Sequence, residues 1–282
     1  MAAVDSHKRH PGTVASVERA ALIFHMLLGG RRSLAVTEVA HRLGVANSTA
    51  HRLLRSLCGT GLLQQNPETR RYELSLLIYK LGNLAVTHSD LYQRSLAPLG
   101  RLHHATGEGC HVSVPDLPEV VYFERRDSDR TMDFLARMGA RAPANCTSTG
   151  KVLLAFASEL ALEGVLANGL ARLTDRSITD SSRLREELGK IRERGYAESC
   201  DEMELGTTSM AAPIRDGGGR VVAALGVAGP TPRMRRLSRA RVLEFVLSCS
   251  QEITERLSLR KGVRSPLASS FPQDGNLRFS AE

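Results

Sequence analysis

The stretch that decides the fold covers residues 37–61 and reads TEVAHRLGVANSTAHRLLRSLCGTG. Apolar residues recur at helical spacing on both sides of Gly44. The pattern therefore predicts a short helix that ends at Leu43 and a longer helix that ends at Gly59 or Gly61. Two helices joined by a short turn that contains glycine are typical of a helix-turn-helix.

Capping signals place the start of both helices. Thr37 can cap the short helix, supported by Glu38 near its positive end. Ser48 or Asn47 can cap the longer helix, which corresponds to the recognition helix of such a motif. The residues of this helix that are predicted to face the core are Ala50, Leu53, Leu54 and Leu57.

The residues on either side of this stretch extend the motif. Residues 14–28 carry an apolar face at helical spacing and are followed by Gly29 and Gly30, which predicts a first helix. Residues 62–65 and 70–74 flank the turn residues 66–69, which predicts a β-hairpin. Three helices followed by a hairpin predict a winged helix-turn-helix domain over residues 14–75, after a flexible N-terminus at residues 1–13.

The charge distribution points to a polyanionic partner. The chain of 282 residues has a formal net charge of +8, and residues 1–75 hold ten Lys and Arg against five Asp and Glu. This local excess favours a nucleic-acid-binding module, and double-stranded DNA is the expected partner. The candidate DNA-binding residues lie at the start of the recognition helix and in the hairpin: Asn47, Ser48, Thr49, His51, Arg52, Arg55, Arg70 and Arg71.

The rest of the chain predicts a second domain of a different class. A helix over residues 74–86, in a predicted linker at 76–90, is the candidate element for passing a signal between the domains. Beyond it, the pattern predicts strands at 111–114, 120–123, 209–215 and 221–227 and helices near 149–157, 181–194 and 238–259. Together these elements predict an α+β domain over residues 91–262. Residues 263–282 predict a disordered tail. The fold class is therefore multidomain, with an all-α-type winged helix-turn-helix domain joined by a linker helix to an α+β domain.

The sequence also argues against several other classes of protein. No run approaches the roughly 18 apolar residues that a membrane helix needs, and no secretory signal follows Met1, so we expect a cytoplasmic protein with no membrane partner. Five cysteines at wide spacing argue against a disulfide framework or a structural zinc site. Gly150-Lys151 lacks the spacing of a phosphate loop. We expect no metal and no cofactor, since no closed metal site matches the spacing of His103, His104, Cys110 and His111.

The stretch VANSTAHRLL, residues 45–54, resembles the recognition helix of the isocitrate-lyase-regulator (IclR) family of bacterial transcription factors. Further matches cover nearly the whole chain: Tyr72-Glu73-Leu74, Thr106-Gly107-Glu108, TSTGKVLLA at residues 147–155, Arg194-Gly195-Tyr196-Ala197, Ala211-Ala212-Pro213-Ile214 and Gly229-Pro230. In this order and spacing, the matches are specific.

The resemblance implies that the C-terminal domain is GAF-like and binds a small organic effector, often a carboxylate or an aromatic metabolite. Residues 148–150 lie at a predicted helix N-terminus, where amides and hydroxyls can receive a carboxylate. With the family's contacts carried over by motif, the effector-binding residues are Ser148, Thr149, Gly150, Asp201, Ser209, Gly226 and Ala228. Because Gly226 and Ala228 stand where some members have serine, we hypothesise a less polar pocket floor.

These observations predict a ligand-responsive, sequence-specific transcriptional regulator, with repression favoured over activation. It is expected to read an inverted repeat as a homodimer or a dimer of dimers. No catalytic residue is expected, because the chain lacks G-x-S-x-G and no base is placed beside Cys146 or Cys200. The alternative is a thiol-based redox sensor or enzyme that uses one of these cysteines, and a third hypothesis is a nonspecific DNA binder without an effector.

Overall fold

The computed structural model of the protein describes residues 14–28, 31–126 and 139–259. The predicted flexible N-terminus at 1–13, the helix stop at Gly29 and Gly30 and the predicted tail at 263–282 lie outside the described residues. The chain divides into two compact units between Ala85 and Val86. This division falls inside the segment predicted as a linker, residues 76–90.

The N-terminal unit is a winged helix-turn-helix domain, as predicted. Its elements are α1 (Ala15–Leu28), α2 (Val36–Leu43), α3 (Asn47–Gly59), β1 (Leu63–Gln65) and β2 (Tyr72–Leu74). Gly44 turns the chain between α2 and α3 with a φ of 61°, a left-handed conformation that glycine adopts without strain. The core is built from one face of each helix and from the hairpin: Ile23, Leu27, Leu34, Val39, Ala50, Leu54, Leu57, Leu63 and Tyr72. Leu53 is only partly buried and packs against this core.

The caps of α2 and α3 differ from the predictions. The N-cap of α2 is Ala35, not Thr37, and the Ala35 N–H donates to the Glu38 carboxylate at 2.7 Å. The N-cap of α3 is Ala46, with no side-chain cap. Asn47 and Ser48 are the first two residues of the helix, because the extended backbone that precedes the helix ends at Ala46. Their side chains are exposed.

Two helices follow the hairpin, α4 (Leu76–Thr87) and α5 (Asp90–Thr106). α4 begins later than the predicted residue 74, because Leu74 pairs with Leu63 in the hairpin. None of the residues of α4 is buried, although the helix is rich in large apolar side chains.

The C-terminal unit is an α+β domain built on one antiparallel sheet. The strands are β3 (Gly109–Asp116), β4 (Glu119–Arg126), β5 (Arg141–Pro143), β6 (Ala197–Cys200), β7 (Thr207–Arg215) and β8 (Val221–Pro230). They are arranged in the order β5-β4-β3-β8-β7-β6. The helices are α5, α6 (Ser148–Ala155), α7 (Glu159–Ala167), α8 (Ser181–Arg194), α9 (Thr231–Arg236) and α10 (Arg239–Ser258).

Helices cover the two faces of this sheet. α5 and α10 bury one face through residues such as Leu99, Val112, Leu225 and Val246. α6, α7 and α8 bury the other face around Val152, Leu184 and Ala224. The sequence analysis missed β5, β6, α7 and α9. These elements are short, so the alternation of apolar and polar residues repeats only a few times within each of them. The side chains of β3, β7 and β8 that point toward α6 form the floor of the site described below.

Candidate functional site

The first turns of α3 present a polar and cationic surface. Asn47, Ser48, His51, Arg52 and Arg55 are all exposed, and Thr49 is half-buried. The buried residues of the same helix are Ala50, Leu54 and Leu57, so the helix has one face in the core and the opposite face open. No acidic residue lies in its first turn, where the positive end of the helix dipole adds to the attraction for phosphate.

The two arginines of the hairpin have different environments. Arg70, at the tip, is exposed and has a left-handed φ of 58°. Arg71 turns back to the domain, where its guanidinium donates to the Glu38 carboxylate at 2.8 Å and to the Ser33 hydroxyl at 2.8 Å. The hydrogen bond from Ala35 N–H, together with Arg71, holds the pKa of Glu38 below its usual value. Arg71 therefore anchors the hairpin to the start of α2, and Arg70 is the more available of the two cations.

The N-terminus of α6 forms the core of the second site. Thr147 caps the helix, with its Oγ1 accepting a hydrogen bond from Gly150 N–H at 3.0 Å. Ser148 and Thr149 are buried, and the Thr149 hydroxyl has no hydrogen-bond partner in the described part of the chain. A Cβ on Gly150 would lie 2.2 Å from the Ala144 carbonyl oxygen, so only glycine allows this close approach. This tight turn comes directly before α6, which packs against the sheet.

The sheet beneath α6 carries polar side chains beside the glycine at position 226. A Cβ on Gly226 would lie 2.8 Å from Thr149 Cγ2 and 2.9 Å from His111 Nε2. The missing side chain therefore makes room for an imidazole and a threonine side chain, and the less polar pocket floor stays a prediction. Ser113 lies on the same face of β3, and its buried hydroxyl also lacks a partner among the described residues. Each unsatisfied buried hydroxyl costs about 1–3 kcal/mol.

His111 is held in its neutral form. Burial and the nearby charge of Arg125 lower the pKa of His111 from 6.5 to about 4. Its ring packs edge-on against Tyr122 with the centroids 4.9 Å apart. A neutral imidazole offers one donor and one acceptor nitrogen, so the floor of the site can form hydrogen bonds without carrying charge.

The lowered pKa of His111 predicts an acid-sensitive contribution to stability. The unfolded chain binds the proton near pH 6.5 and the folded chain only near pH 4, so this stability is present at pH 7 and is lost as the pH falls. As the pH falls from 7 to 5, we expect the free energy of unfolding to decrease by about 2 kcal/mol because of this group. Urea unfolding of the wild type and of His111→Asn at the two pH values measures the difference, and an identical pH dependence in both proteins would contradict it.

The segment after β6 places two acidic residues, the predicted Asp201 and its neighbour Glu202, in different environments. Asp201 has a φ of 62°, and its carboxylate accepts a hydrogen bond from Gly206 N–H at 2.7 Å, so it holds the β6–β7 turn together. Glu202 points inward and accepts from Lys151 Nζ at 2.5 Å. Burial raises the pKa of Glu202, against the effect of the Lys151 ammonium. The acidic residue of this segment that contacts α6 is therefore Glu202, and the role of Asp201 in effector binding stays a prediction.

Ser209 of β7 pairs with Ala228 of β8, and the next pair on the same face is Ala211 with Gly226. Ser209 is half-buried and also pairs with Ser199 of β6, whose hydroxyl donates to the Cys146 carbonyl at 3.2 Å. The structure thus brings Ser148, Thr149, Gly150, Ser209, Gly226 and Ala228 to one side of the sheet.

The cysteines offer little support for thiol chemistry. Cys146 is buried, and burial raises the pKa of its thiol, which disfavours the reactive thiolate. Cys200 is exposed, and its neighbours are the Asp201 carboxylate and the Thr208 hydroxyl. Neither neighbour is a cation that would stabilise a thiolate. Within the described ranges, no group of three or more His, Cys, Asp or Glu side chains could hold a metal, and no helix is long and apolar enough to cross a membrane.

Four buried polar residues near the N-terminus of α6 were not among the predicted effector-binding residues: His111, Ser113, Lys151 and Glu202. The sequence could have placed His111 and Ser113 on one face of a strand, because they alternate with the apolar residues 110, 112 and 114. Lys151 and Glu202 are 51 residues apart, and no local pattern links them.

A winged helix-turn-helix unit followed by an α+β unit with a buried polar site defines a transcriptional regulator with a separate ligand-sensing domain. Two family models match the chain. "IclR helix-turn-helix domain" covers residues 16–67, and "Bacterial transcriptional regulator IclR C-terminal" covers residues 83–255. The chain belongs to the IclR family of bacterial transcriptional regulators.

Individual relatives agree with this assignment. The chain is 35% identical to a glycerol operon regulatory protein of Streptomyces griseus, over 78% of this chain and 87% of the relative. It is 32% identical to the HTH-type transcriptional regulator KdgR of Escherichia coli K12, over 87% and 92%. A crystal structure of an IclR homolog from Microbacterium hydrocarbonoxydans, complexed with 4-hydroxybenzoate, is similar with a TM-score of 0.74 and 25% identity, over 87% of this chain and all of that one. The homologues are regulators, so this chain is a transcriptional regulator and not an enzyme.

Proposed function

We propose that the protein is a cytoplasmic repressor whose affinity for an inverted-repeat operator is set by a small organic effector bound beneath α6. One observation carries the effector part of this proposal, which is the buried Thr149 hydroxyl without a partner at the N-terminus of α6. Such a group is costly unless a ligand or water completes its hydrogen bonds. A small carboxylate or aromatic acid fits a helix N-terminus backed by polar groups.

The DNA part of the proposal rests on α3. Arg52 and Arg55 can donate to base edges or phosphates, and Asn47, Ser48, Thr49 and His51 supply shorter polar contacts at the start of the helix. Arg70 at the hairpin tip is placed to contact the backbone or the minor groove. Arg71 contributes indirectly, by holding the hairpin against α2.

A second copy of the chain is the proposed partner of α4. This helix exposes Leu77, Leu81 and Leu84 at helical spacing, with Leu76 and Tyr79 beside them. Tyr79 is 69% exposed and Leu81 is 49% exposed. One recognition helix reads too few base pairs for genomic specificity, so pairing of two copies is required for a specific operator.

Leu81→Glu is expected to shift the protein toward monomer and to weaken operator binding by at least tenfold, because a carboxylate would be desolvated in the apolar interface. Analytical ultracentrifugation and a binding titration measure the two effects. Leu160→Glu is the matched control, since Leu160 is a comparably exposed leucine on α7 of the other unit. An unchanged mass and affinity for Leu81→Glu would rule out α4 as the dimer surface.

The proposed function is tested by selecting sheared genomic DNA with the purified full chain at physiological salt and sequencing what is retained. Enrichment of a few inverted repeats, followed by their release when a metabolite panel is added, is the expected result. Uniform retention along the genome, with a steep and sequence-independent salt dependence, would instead indicate a nonspecific binder. Enrichment that no metabolite changes would remove the effector from the proposal.

A further inference from the structure

The junction of α9 and α10 carries a cluster of five arginines. Residues 233–241 read RMRRLSRAR and contain no acidic residue and no lysine. The other residues of the ranges 86–126 and 139–259 comprise 16 Lys and Arg against 20 Asp and Glu. The positive charge of the C-terminal unit is therefore concentrated in this short segment, on a unit that is otherwise slightly acidic.

Two of the five arginines are bound to the rest of the unit. The Arg233 guanidinium donates two hydrogen bonds to the buried Glu108 carboxylate, at 2.7 and 2.6 Å. Arg239 forms an ion pair with the Glu198 carboxylate at 2.7 Å. Met234 packs into the core between them. These contacts hold the segment in place, so its other arginines extend from a fixed backbone.

The remaining three arginines form a surface that we call the arginine patch: Arg235, Arg236 and Arg241. All three are exposed, and their guanidinium groups have no hydrogen bond or ion pair with any residue that the structure describes. Charges of one sign held close together repel each other, and Arg241 also lies in the first turn of α10, where the helix dipole favours an acidic residue. Such a patch gains free energy when a polyanion binds to it.

The composition of the surface favours the backbone of double-stranded DNA as the polyanion. Arginine always carries its charge and binds phosphate through two parallel hydrogen bonds. Within residues 231–243, all of which the structure describes, no large apolar or aromatic side chain is exposed. A protein partner usually needs such an apolar anchor, and single-stranded nucleic acid needs aromatic rings for base stacking. Phosphate contacts to a duplex need only the cations.

We propose that the arginine patch is a second DNA-contacting surface, which binds phosphates of the DNA that flanks the base pairs read by α3. The patch belongs to a different compact unit from α3 and the hairpin, so it uses phosphates that they leave free. It adds affinity and salt dependence without selecting bases. This inference goes beyond the proposed function, because it assigns a DNA contact to the unit that senses the ligand.

Binding titrations of the full chain with duplexes of two lengths test the patch. A duplex of about 20 base pairs covers two half-sites one helical turn apart, and a longer duplex extends it by about two turns on each side. The variant Arg235→Gln/Arg236→Gln/Arg241→Gln should bind the long duplex about tenfold more weakly than the wild type and the short duplex equally well. On the long duplex, the slope of log affinity against log salt should become shallower by about 2–3 for each bound copy.

The matched control is Arg126→Gln/Arg176→Gln/Arg183→Gln, which removes three exposed arginines elsewhere in the same unit. It lowers the net charge equally and should bind both duplexes like the wild type. Thermal unfolding of both variants checks the fold. The patch variant should keep or raise the Tm, because it removes repelling charges that have no partner among the described residues.

The proposal is overturned if the patch variant and the control variant bind the long duplex equally, and an acidic protein surface then becomes the partner to examine. It is also overturned if the patch variant loses as much affinity for the short duplex as for the long one, since the patch then makes no contact with flanking DNA.

A long duplex without the operator separates this proposal from the proposed function. The patch variant should bind it more weakly than the control variant does, because phosphate contacts carry no base information. If no inverted repeat is selected from genomic DNA, the proposed operator recognition fails while this duplex still tests the patch. If the operator is selected but the two variants bind every duplex equally, only the patch proposal fails.

Discussion

Replacing Lys151 with methionine is expected to lower the free energy of unfolding of the C-terminal unit by about 3–5 kcal/mol at pH 7. Lys151 is 1% exposed, and its Nζ lies 2.5 Å from the Glu202 carboxylate. Removing the ammonium leaves a buried carboxylate without its charge partner, which is far more costly than losing a surface pair. The chain contains no tryptophan, so urea unfolding is best followed by circular dichroism.

Two controls isolate the buried charge as the cause. The double variant Lys151→Met/Glu202→Leu should recover most of the lost stability, because an apolar pair of similar volume needs no solvation. Lys190→Met removes a lysine from the exposed Lys190–Glu186 pair and should change little. A double variant as unstable as Lys151→Met would show that packing, not charge, accounts for the loss.

The pH dependence of Lys151→Met gives a further check. Burial already raises the pKa of Glu202, and loss of the ammonium should raise it more. A carboxyl group whose pKa is raised in the folded state stabilises the fold at low pH, and this contribution is lost as the pH rises. The difference between wild type and Lys151→Met should therefore shrink as the pH falls from 7 to 5.

Arg52→Ala is expected to weaken operator binding by about 1–3 kcal/mol for each half-site, roughly 5- to 150-fold, and to relax the base preference at one position of the half-site. Arg52 is exposed in the second turn of α3, where a guanidinium reaches base edges in the major groove. In a homodimer both copies lose this contact, so the two losses of binding free energy add. Binding titrations against the selected operator and against single-base variants of it measure the affinity and the preference.

The matched control for Arg52→Ala is Arg176→Ala, an exposed arginine in the C-terminal unit. It removes the same charge and should leave operator affinity unchanged. If Arg52→Ala weakens binding to every sequence by the same factor, Arg52 contacts phosphate only, and the base contacts must come from other residues of α3.

The sequence by itself determined the elements of the N-terminal unit and several of the longer elements of the C-terminal unit. Helical spacing around Gly44 and the turn after Gln65 were sufficient to predict the winged helix-turn-helix, because a helix face and a hairpin are each specified within about twenty neighbouring residues. The exposed recognition surface followed directly, since the apolar residues of α3 alternate with its polar residues at the helical period. The family motifs likewise placed Thr149 and Gly226 in one site.

Only the tertiary structure decided which distant side chains meet in that site. β3 lies beside β8 in the sheet, so His111 meets Gly226 across 115 residues of chain. The turn conformation of Asp201 sends the next side chain, Glu202, inward to Lys151. These contacts depend on strand order, register and a left-handed backbone residue, which are set by packing of the whole domain and leave no periodic trace in the sequence.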